Sequence, residues 1–452
     1  MDAGTKIDLD KLPLPVMETM ARLERNGFRA YLVGGVVRDF IQGRTPKDYD
    51  VATIATPEQV RGLFPRVIPT GLRHGTVTVV EGGLEIEVTT LRRDGRYSDC
   101  RRPDSVEFTF NLRDDLSRRD FTINSLAVDT GGKVYDFFGG LGDMAVGVIR
   151  AVGDPGKRFR EDGLRMMRAV RFACQMKFIV EPGTLASIKV NRRLISRVSR
   201  ERIREELNGI IMSEMPREGI ELLVGCGLMD YILPEVADLA SVEEEAGREG
   251  RYRHTLDVLS YSTAKLNVRL AALLHGIAGL AGSGSCVAGH GRLKRRRQEP
   301  GPVEEMLNRL KYDRRTVNRV SDLVGTADAW RFLCGEKEIK RFMGCAGAGN
   351  LADIFDLWEA QARASGKQGE IKALRTLKSS MEYILAEKKP ISIKDLALNG
   401  NDLKKMGIRS GKEMGCVLDR LLDAVLERPE MNEKSRLLGL VRKWSGPDQG
   451  NT

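Results

Sequence analysis

The sequence predicts an α+β fold, in which a small mixed β-sheet with flanking helices precedes a long all-α region. Short runs that alternate apolar and polar residues are confined to the first 150 residues, the clearest being 84–91. From about Asp154 onwards, apolar residues recur at helical spacing and this alternation nearly disappears. At 452 residues the chain is too long for a single core, so several domains are expected.

The elements of the N-terminal third follow one another closely, with turns at Gly34-Gly35 and between Gly43 and Pro46. In order, the patterns predict a helix at 14–27, a strand at 31–33, a helix at 36–41, a strand bearing Asp48 and Asp50, a helix from Pro57, and strands at 76–81, 84–91, 106–111, 127–129 and 134–136.

The remainder is predicted to be helical, interrupted by a Gly-, Ser- and Arg-rich loop or insertion at 278–302. Helices are predicted at 157–172, after Pro182-Gly183, from Ser199 to about Met212, and within 303–330 and 352–388. These changes of character predict four domains, which are a head at 1–150, a neck at 151–213, a body at 214–330 and a tail at 331–452.

Composition indicates an ordinary globular protein with a basic surplus. Apolar residues make up 41% of the chain, charged residues 30%, and the net charge is +10. A basic surplus favours polyanionic partners. With only 6% aromatic residues, backbone charge and shape rather than base stacking should dominate any contact with RNA.

The same inventory argues against several other classes. No stretch approaches the roughly 20 apolar residues that a membrane helix needs, and the first residues lack the pattern of a signal peptide. The seven cysteines are scattered and form no CxxC pair, which argues against disulfides and a cysteine zinc site. We therefore expect a cytoplasmic protein, whose oligomeric state is left open.

Asp48 and Asp50 are the first candidates for chemistry. Side chains two apart on a strand share a face, and two neighbouring carboxylates repel each other unless a cation lies between them. The preceding glycine turn opens a helix, whose N–H groups can face a phosphate. Metal-binding aspartates beside a phosphate site would suit nucleotidyl transfer; the alternative is a solvated acidic strand end.

Further candidates lie along the chain. A third carboxylate is expected at Glu85 or Glu87, with Glu87 favoured, although a surface glutamate is the alternative. The stretch 118–124 combines two arginines with Asp120 and Asn124, which could hold a triphosphate and a ribose hydroxyl or form a structural ion pair.

The predicted helix at 157–172 carries Asp162 and Arg165 three residues apart, which would put them on one face. Cytosine and adenine both present an amino donor beside a ring-nitrogen acceptor, so a carboxylate and a guanidinium would select them over uracil and guanine. Arg168, one turn further on, could reach a phosphate. The alternative is an ordinary ion pair on a helix surface.

Taken together, these motifs resemble the class II tRNA nucleotidyltransferases, the family of CCA-adding enzymes and bacterial poly(A) polymerases. The matching motifs lie at 32–39 with Asp48 and Asp50, at 118–124, at 136–140, at 161–165 and at 199–206. The resemblance implies a catalytic nucleotidyltransferase head, a neck with a nucleotide-selecting helix, a body and a tRNA-binding tail.

The resemblance also implies roles for individual residues. Asp48 and Asp50 would bind two Mg²⁺ ions, with Glu87 as a further catalytic candidate, and the substrates would be CTP, ATP and the tRNA 3′ end. The residues implied to bind the nucleotide are Gly34, Gly35, Arg38, Arg119, Asp120, Asn124, Glu161, Asp162, Arg165 and Arg168. Asp136, Gly139 and Gly140 would join head and neck, and 199–206 would support the selecting helix.

Two features narrow the activity within the family. Residues 71–76 resemble the tRNA-directed members rather than the poly(A) polymerases. A loop at 92–103, which enzymes that add only CC lack, is retained, so the terminal A should be within reach. Full CCA addition and A-only addition both remain open, because both activities keep the loop and the selecting residues.

Three of the four histidines, His254, His275 and His290, lie in the predicted body and resemble a fused HD phosphohydrolase domain. An intact site of that kind has aspartate directly after the second histidine, and here the residue is Gly276. We interpret the region as a degenerate relic with a structural role. The rivals from other classes are therefore an HD-type phosphohydrolase and an inactive RNA-binding protein.

Overall fold

The computed structural model describes residues 6–46, 48–95, 97, 104–246, 250–278 and 301–445. The chain divides between Asp238 and Leu239 into two compact units. The predicted division into head, neck, body and tail stays a prediction.

A mixed seven-stranded sheet lies at the centre of the N-terminal part, as the sequence predicts. Its strands, with the shorter ones beside it, are β1 (Ala30–Val33), β2 (Tyr49–Thr53), β3 (Val67–Gly71), β4 (Thr76–Glu81), β5 (Leu84–Thr90), β6 (Arg92–Asp94), β7 (Val106–Phe108), β8 (Leu126–Asp129), β9 (Val134–Asp136), β10 (Val148–Ile149) and β11 (Ile179–Val180). The strand order is β3-β4-β5-β2-β1-β8-β9. Only β2 and β5 run parallel in this sheet.

Two short ribbons lie outside the sheet in the described part of the chain. Strands β6 and β7 pair antiparallel. Strands β10 and β11 pair parallel and so connect the end of the predicted head to a segment of the predicted neck.

The helices of the first unit, with the one that crosses its boundary, are α1 (Leu14–Arg25), α2 (Gly35–Ile41), α3 (Pro57–Leu63), α4 (Leu112–Ser117), α5 (Gly140–Val146), α6 (Pro155–Glu161), α7 (Arg165–Met176), α8 (Pro182–Asn191), α9 (Arg200–Ile211), α10 (Pro216–Gly225), α11 (Met229–Ile232) and α12 (Pro234–Ala246). The single helix predicted at 157–172 is therefore wrong, because α6 ends at Glu161 and α7 begins at Arg165.

Both faces of the sheet are covered, which explains the continuous apolar run in β1. Val16 and Met20 of α1 are fully buried in the larger core, which also contains Leu32. Tyr31 and Val33, whose side chains point the other way, belong to a second cluster with residues of α4. A strand buried on both faces reads as an uninterrupted apolar segment rather than as an alternating one.

The second unit is helical throughout its described part, in agreement with the sequence. Its helices are α13 (Arg251–Tyr261), α14 (Leu266–Ala278), α15 (Pro302–Arg309), α16 (Arg314–Gly325), α17 (Glu336–Ala346), α18 (Leu351–Ala364), α19 (Gln368–Ala386), α20 (Gly400–Lys405), α21 (Lys412–Glu427) and α22 (Lys434–Ser445). Trp358 is fully buried and donates from Nε1 to the Thr326 carbonyl at 2.9 Å.

None of the described helices is long and apolar enough to cross a membrane. The five cysteines that the structure describes are free thiols, namely Cys174, Cys226, Cys334, Cys345 and Cys416. Cys100 and Cys286 lie outside the described residues.

Close packing at Gly140 gives a stability prediction. A β-carbon at Gly140 would lie 2.2 Å from the Thr122 carbonyl oxygen, whereas nothing lies within 4 Å of one at Gly142 in the same helix. Backbone atoms cannot move aside cheaply, so we expect Gly140→Ala to lower the free energy of unfolding by about 2–3 kcal/mol. Thermal unfolding followed by circular dichroism measures this.

Gly142→Ala is the matched control for the same substitution in the same helix. It should be neutral or stabilise the protein by up to about 1 kcal/mol, because alanine favours helix more than glycine does. Equal unfolding temperatures for the two variants would show that the contact with Thr122 is not restrictive.

Candidate active site

The glycine turn after β1 brings two site residues together. Gly34 has a φ of 77°, a left-handed conformation that glycine adopts without strain. A β-carbon at Gly34 would lie 2.8 Å from Arg119 Nη1 and 3.5 Å from Asp50 Oδ2. The turn therefore favours glycine for its backbone conformation, and a larger residue would also displace the end of the Arg119 side chain.

The three candidate carboxylates meet at the parallel pair β2 and β5. Asp48 is exposed and directly precedes β2, Asp50 is half-buried within it, and Glu87 is the partner of Asp50 in the strand register. Glu85 has no partner in β2, because the register between β2 and β5 begins with Tyr49 and Ile86. The register therefore favours Glu87 over Glu85 as the third carboxylate.

These carboxylates influence each other electrostatically. Burial raises the pKa of Asp50, with Arg119 opposing this shift and Asp48 adding to it. Glu87 is exposed as a residue, but desolvation of its carboxyl group raises its pKa and Asp50 raises it further. Desolvation first, and neighbouring negative charge second, disfavour the ionised form of both carboxyl groups, and a bound cation would offset this.

The carboxylates fit a divalent cation that is bound together with substrate. Within the described residues, no group of three or more His, Cys, Asp or Glu side chains could hold a metal ion by itself. Asp48 and Asp50 supply two hard oxygen donors, and proteins commonly bind Mg²⁺ through one or two carboxylates plus substrate phosphates.

A buried hydrogen-bonded chain connects helices α2 and α7. Arg38 Nη1 donates to Asn124 Oδ1 at 2.7 Å, and Asn124 Nδ2 donates to Asp120 Oδ1 at 3.0 Å. Arg168 Nε donates to Asp120 Oδ2 at 2.8 Å. Burial would raise the pKa of Asp120, but Arg168 and Asn124 outweigh it and lower the pKa to about 2. Asp120 therefore stays ionised.

Asp115 is a site residue that sequence reasoning missed. Its buried carboxylate accepts from Arg118 at 2.9 and 2.8 Å and from Arg119 Nη2 at 3.4 Å. Arg118 also approaches Asp94, whose carboxylate accepts from the Tyr97 hydroxyl at 2.6 Å. The spacing of Asp115 three and four residues before the double arginine could have revealed it.

The predicted pairing of Asp162 with Arg165 on one helix face is wrong. Asp162 is extended, with φ −146° and ψ 108°, and separates α6 from α7. Its Oδ2 accepts from Arg202 Nη2 of α9 at 2.6 Å. Arg165 instead pairs with Glu161, at 2.7 Å between Nη1 and Oε2, and donates from Nη2 to the Arg118 carbonyl at 2.9 Å.

Helix α9 contacts both the extended residue Asp162 and helix α7. Besides the contact of Arg202 with Asp162, Glu206 of α9 accepts from Arg171 Nε of α7 at 2.6 Å. Ser199, as expected, directly precedes the helix. These contacts support the interpretation of 199–206 as a segment that steadies the selecting residues.

In the predicted joint at 136–140, the carboxylate of Asp136 caps the N-terminus of helix α5. Asp136 accepts from the backbone N–H groups of Gly140 and Leu141, both at 2.9 Å. Gly139 is left-handed, with φ 77°. The turn fixes where α5 begins and brings Gly140 against Thr122.

The two described histidines of the second unit, His254 and His275, are half-buried and pack against each other. The rings of His254 and His275 are edge to face with centroids 5.8 Å apart. A β-carbon at Gly276 would lie 2.4 Å from Thr255 Oγ1, so the position that would carry an aspartate in an intact HD motif has no room for a side chain. His290 and most of 278–302 lie outside the described residues.

The loop at 92–103 is described only in part. Its root is β6, and Tyr97 is described beyond it, whereas Arg96 and residues 98–103 lie outside the described residues.

Comparison with known proteins matches most of the chain to nucleotidyltransferase families. Residues 30–150 match the model of the poly A polymerase head domain, and 177–239 match the probable RNA and SrmB-binding site of polymerase A. Residues 296–441 match the model of tRNA nucleotidyltransferase domain 2, described as putative in that model's name.

Individual proteins agree with these models. The CCA-adding enzyme of Levilactobacillus brevis is 34% identical over 436 residues, covering 94% of this chain and 96% of that enzyme. The CCA-adding enzyme of Lactobacillus helveticus is 48% identical over 244 residues, which cover 53% of this chain and 59% of that enzyme.

Solved structures share the fold. The crystal structure of the Bacillus stearothermophilus CCA-adding enzyme in complex with CTP has a TM-score of 0.73 and 29% identity, covering 95% of this chain and 98% of that one. The Thermotoga maritima CCA-adding enzyme complexed with tRNA has a TM-score of 0.63 at 20% identity, covering 98% of this chain and 100% of that one, and so supports the fold alone.

The half-buried His275 gives a pH prediction. Burial lowers the pKa of His275 to about 4, from an ordinary value near 6.5. As the pH falls below 6.5 the unfolded chain takes up a proton that the folded chain refuses until about pH 4, so stability should fall across this window. The shift corresponds to about 3 kcal/mol at most.

We expect His275→Gln to reduce this pH dependence, since glutamine can still donate to the Ala272 carbonyl but does not titrate. Urea unfolding at several pH values between 7.5 and 4 measures it. Tryptophan fluorescence is selective, because Trp330, Trp358 and Trp444 all lie in the second unit. Parallel stability curves for wild type and variant would contradict the prediction.

Proposed function

Because the chain belongs to the family of CCA-adding enzymes, we propose that it adds the 3′-terminal CCA to tRNA from CTP and ATP without a nucleic-acid template. Family membership rests on similarity that runs almost the full length of both chains. The observation that carries the proposal is the meeting of Asp50, Arg119 and the Gly34 turn at one point of the head. The reducing cytoplasm is the expected compartment.

In the proposed reaction, the tRNA 3′-hydroxyl attacks the α-phosphorus of the nucleotide and pyrophosphate leaves. Asp48 and Asp50 would hold Mg²⁺, with Glu87 adjoining Asp50 on the next strand. The bound cation would neutralise phosphate charge and favour the deprotonated hydroxyl. Arg119 adds a fixed positive charge beside Asp50, where the triphosphate would approach.

Phosphate and ribose contacts are proposed for the groups around Asp120. Gly34 and Gly35 would let the backbone approach the triphosphate closely, and Arg38, Arg119 and Arg168 would supply charge. Asp120 orients both Arg168 and Asn124. These donors are already fixed by protein contacts, so binding the nucleotide would need little reorganisation.

Base selection is proposed for Asp162 and Arg165, with Glu161 as the residue that fixes Arg165. Asp162 Oδ2 is held by Arg202, and Arg165 is held by Glu161 and the Arg118 carbonyl. A carboxylate accepts several hydrogen bonds, and a guanidinium carries five N–H groups, so both retain capacity for a base. Asp162 and Arg165 can therefore be complementary to cytosine and adenine although they do not lie on one face of a single helix.

The rival functions are less well supported. The packing of Gly276 against Thr255 argues against an HD-type phosphohydrolase. A-only addition and poly(A) synthesis would use the same site, so they differ from CCA addition only in the products. The identity to proteins named CCA-adding enzymes favours the full activity over both.

Three tRNA substrates test the proposal directly. The three tRNAs end before the CCA, after the first C and after CC. We expect purified enzyme to complete the CCA on each of them when CTP and ATP are supplied together, and to add A to the tRNA ending in CC when ATP is supplied alone. Sequencing of the products gives the added nucleotides. Extension of only the tRNA ending in CC would replace the proposal with A-only addition, and long A tracts on unrelated RNA would replace it with poly(A) synthesis.

Replacement of Asp50 tests the metal site. Asp50→Asn keeps the shape but removes the charge that a divalent cation needs, so kcat should fall at least about 1,000-fold. Incorporation of radiolabelled ATP into tRNA ending in CC measures it. Glu58→Gln, which neutralises an exposed carboxylate of α3 in the same head, should retain activity. Elongation by Asp50→Asn at the wild-type rate would refute the mechanism.

A further inference from the structure

Phe172 gathers three arginine side chains around one aromatic ring. The guanidinium carbons lie 5.1 Å (Arg38), 5.2 Å (Arg168) and 4.3 Å (Arg171) from the ring centre. Phe172 is itself buried, and the ring of Phe121 meets it edge to face at 5.8 Å. All three guanidinium groups therefore lie within about 5 Å of the centre of the same ring.

The three arginines come from both sides of the site. Arg38 belongs to α2, which follows the glycine turn, whereas Arg168 and Arg171 belong to α7. Arg168 precedes Phe172 by four residues and so lies on the same face of α7. The ring is therefore a direct contact through which the selecting helix meets the helix of the glycine turn.

Three neighbouring cations repel one another, and the protein holds them by two means. Each guanidinium has one carboxylate partner, namely Asp39 for Arg38, Asp120 for Arg168 and Glu206 for Arg171. Each also contacts the Phe172 ring, whose electron-rich face attracts a flat and weakly hydrated guanidinium. The carboxylates neutralise charge, while the ring fixes where the guanidinium groups lie.

We propose that Phe172 is a positioning residue that holds Arg38 and Arg168, with Arg171 beside them, in place for the triphosphate of the incoming nucleotide. The inference rests on the proposed function, and it goes beyond that function by assigning a role to an apolar residue outside the charged motifs. Because the arginines would contact phosphate, the effect of Phe172 should not depend on the base.

The test compares Phe172→Leu with Phe172→Tyr. Loss of the ring should raise KM for CTP and for ATP by the same factor, roughly tenfold, with kcat nearly unchanged. The Ki of inorganic tripolyphosphate, a probe that has no base, should rise in parallel. Phe172→Tyr keeps the ring face and should restore wild-type values. If Phe172→Leu does not fold, Phe172→Met fills a similar volume without a ring and takes its place.

Phe64→Leu is the matched control, because it makes the same substitution beneath another arginine, Arg22, whose guanidinium carbon lies 5.1 Å from the Phe64 ring. It should lower thermal stability and leave both KM values unchanged. An unchanged KM in Phe172→Leu, or a rise for one nucleotide only, would overturn the inference while wild-type CCA addition still supported the proposed function. Failure of the wild type to extend tRNA would instead overturn the function.

Discussion

The arrangement of the site depends on the hydrogen bonds that the buried carboxylate of Asp120 accepts. It accepts from Arg168, from Asn124 and from the backbone N–H of Phe121, and through Asn124 it reaches Arg38. A buried charge is tolerated only when it is fully compensated, and here each partner also belongs to the site. The same contacts thus keep Asp120 ionised and fix the positions of the groups that are proposed to bind phosphate.

In the proposed mechanism, bond formation and nucleotide choice take place at different parts of the site. The carboxylates lie at the parallel strand pair of the head, where Asp50 and Glu87 are neighbours in register. The proposed selecting residues lie between α6 and α7 and are held by Arg202 of α9. Backbone carbonyls join the two regions, since Arg158 donates to Ser117 and Arg165 to Arg118. The carboxylates at β2 and β5 and the residues between α6 and α7 are therefore each held by their own contacts.

Local pattern predicted most strands of the sheet and singled out Asp48 and Asp50 as candidates for the site. Alternation predicted β5, and the i, i+2 spacing singled out Asp48 and Asp50, although β2 begins at Tyr49 and so contains only Asp50 of the two. Local pattern favoured Glu87 over Glu85 but left both open, because strand register is a tertiary property. It also failed at Asp162, where the apolar spacing continues across a break that Arg202, forty residues later, stabilises. Strand β3 was missed because it is an exposed edge strand that contains Pro69.

The short parallel ribbon of β10 and β11 has a mechanical consequence for α7. Glu161 and the Arg118 carbonyl hold the first residue of α7, and β11, two residues after the helix, is bonded to β10. Because α7 is held at both ends, a rigid-body rotation of the helix would break contacts at one end or the other. Under the proposed function, a difference in how CTP and ATP are accommodated would then involve side-chain rotation and the extended Asp162 more readily than rotation of the whole helix.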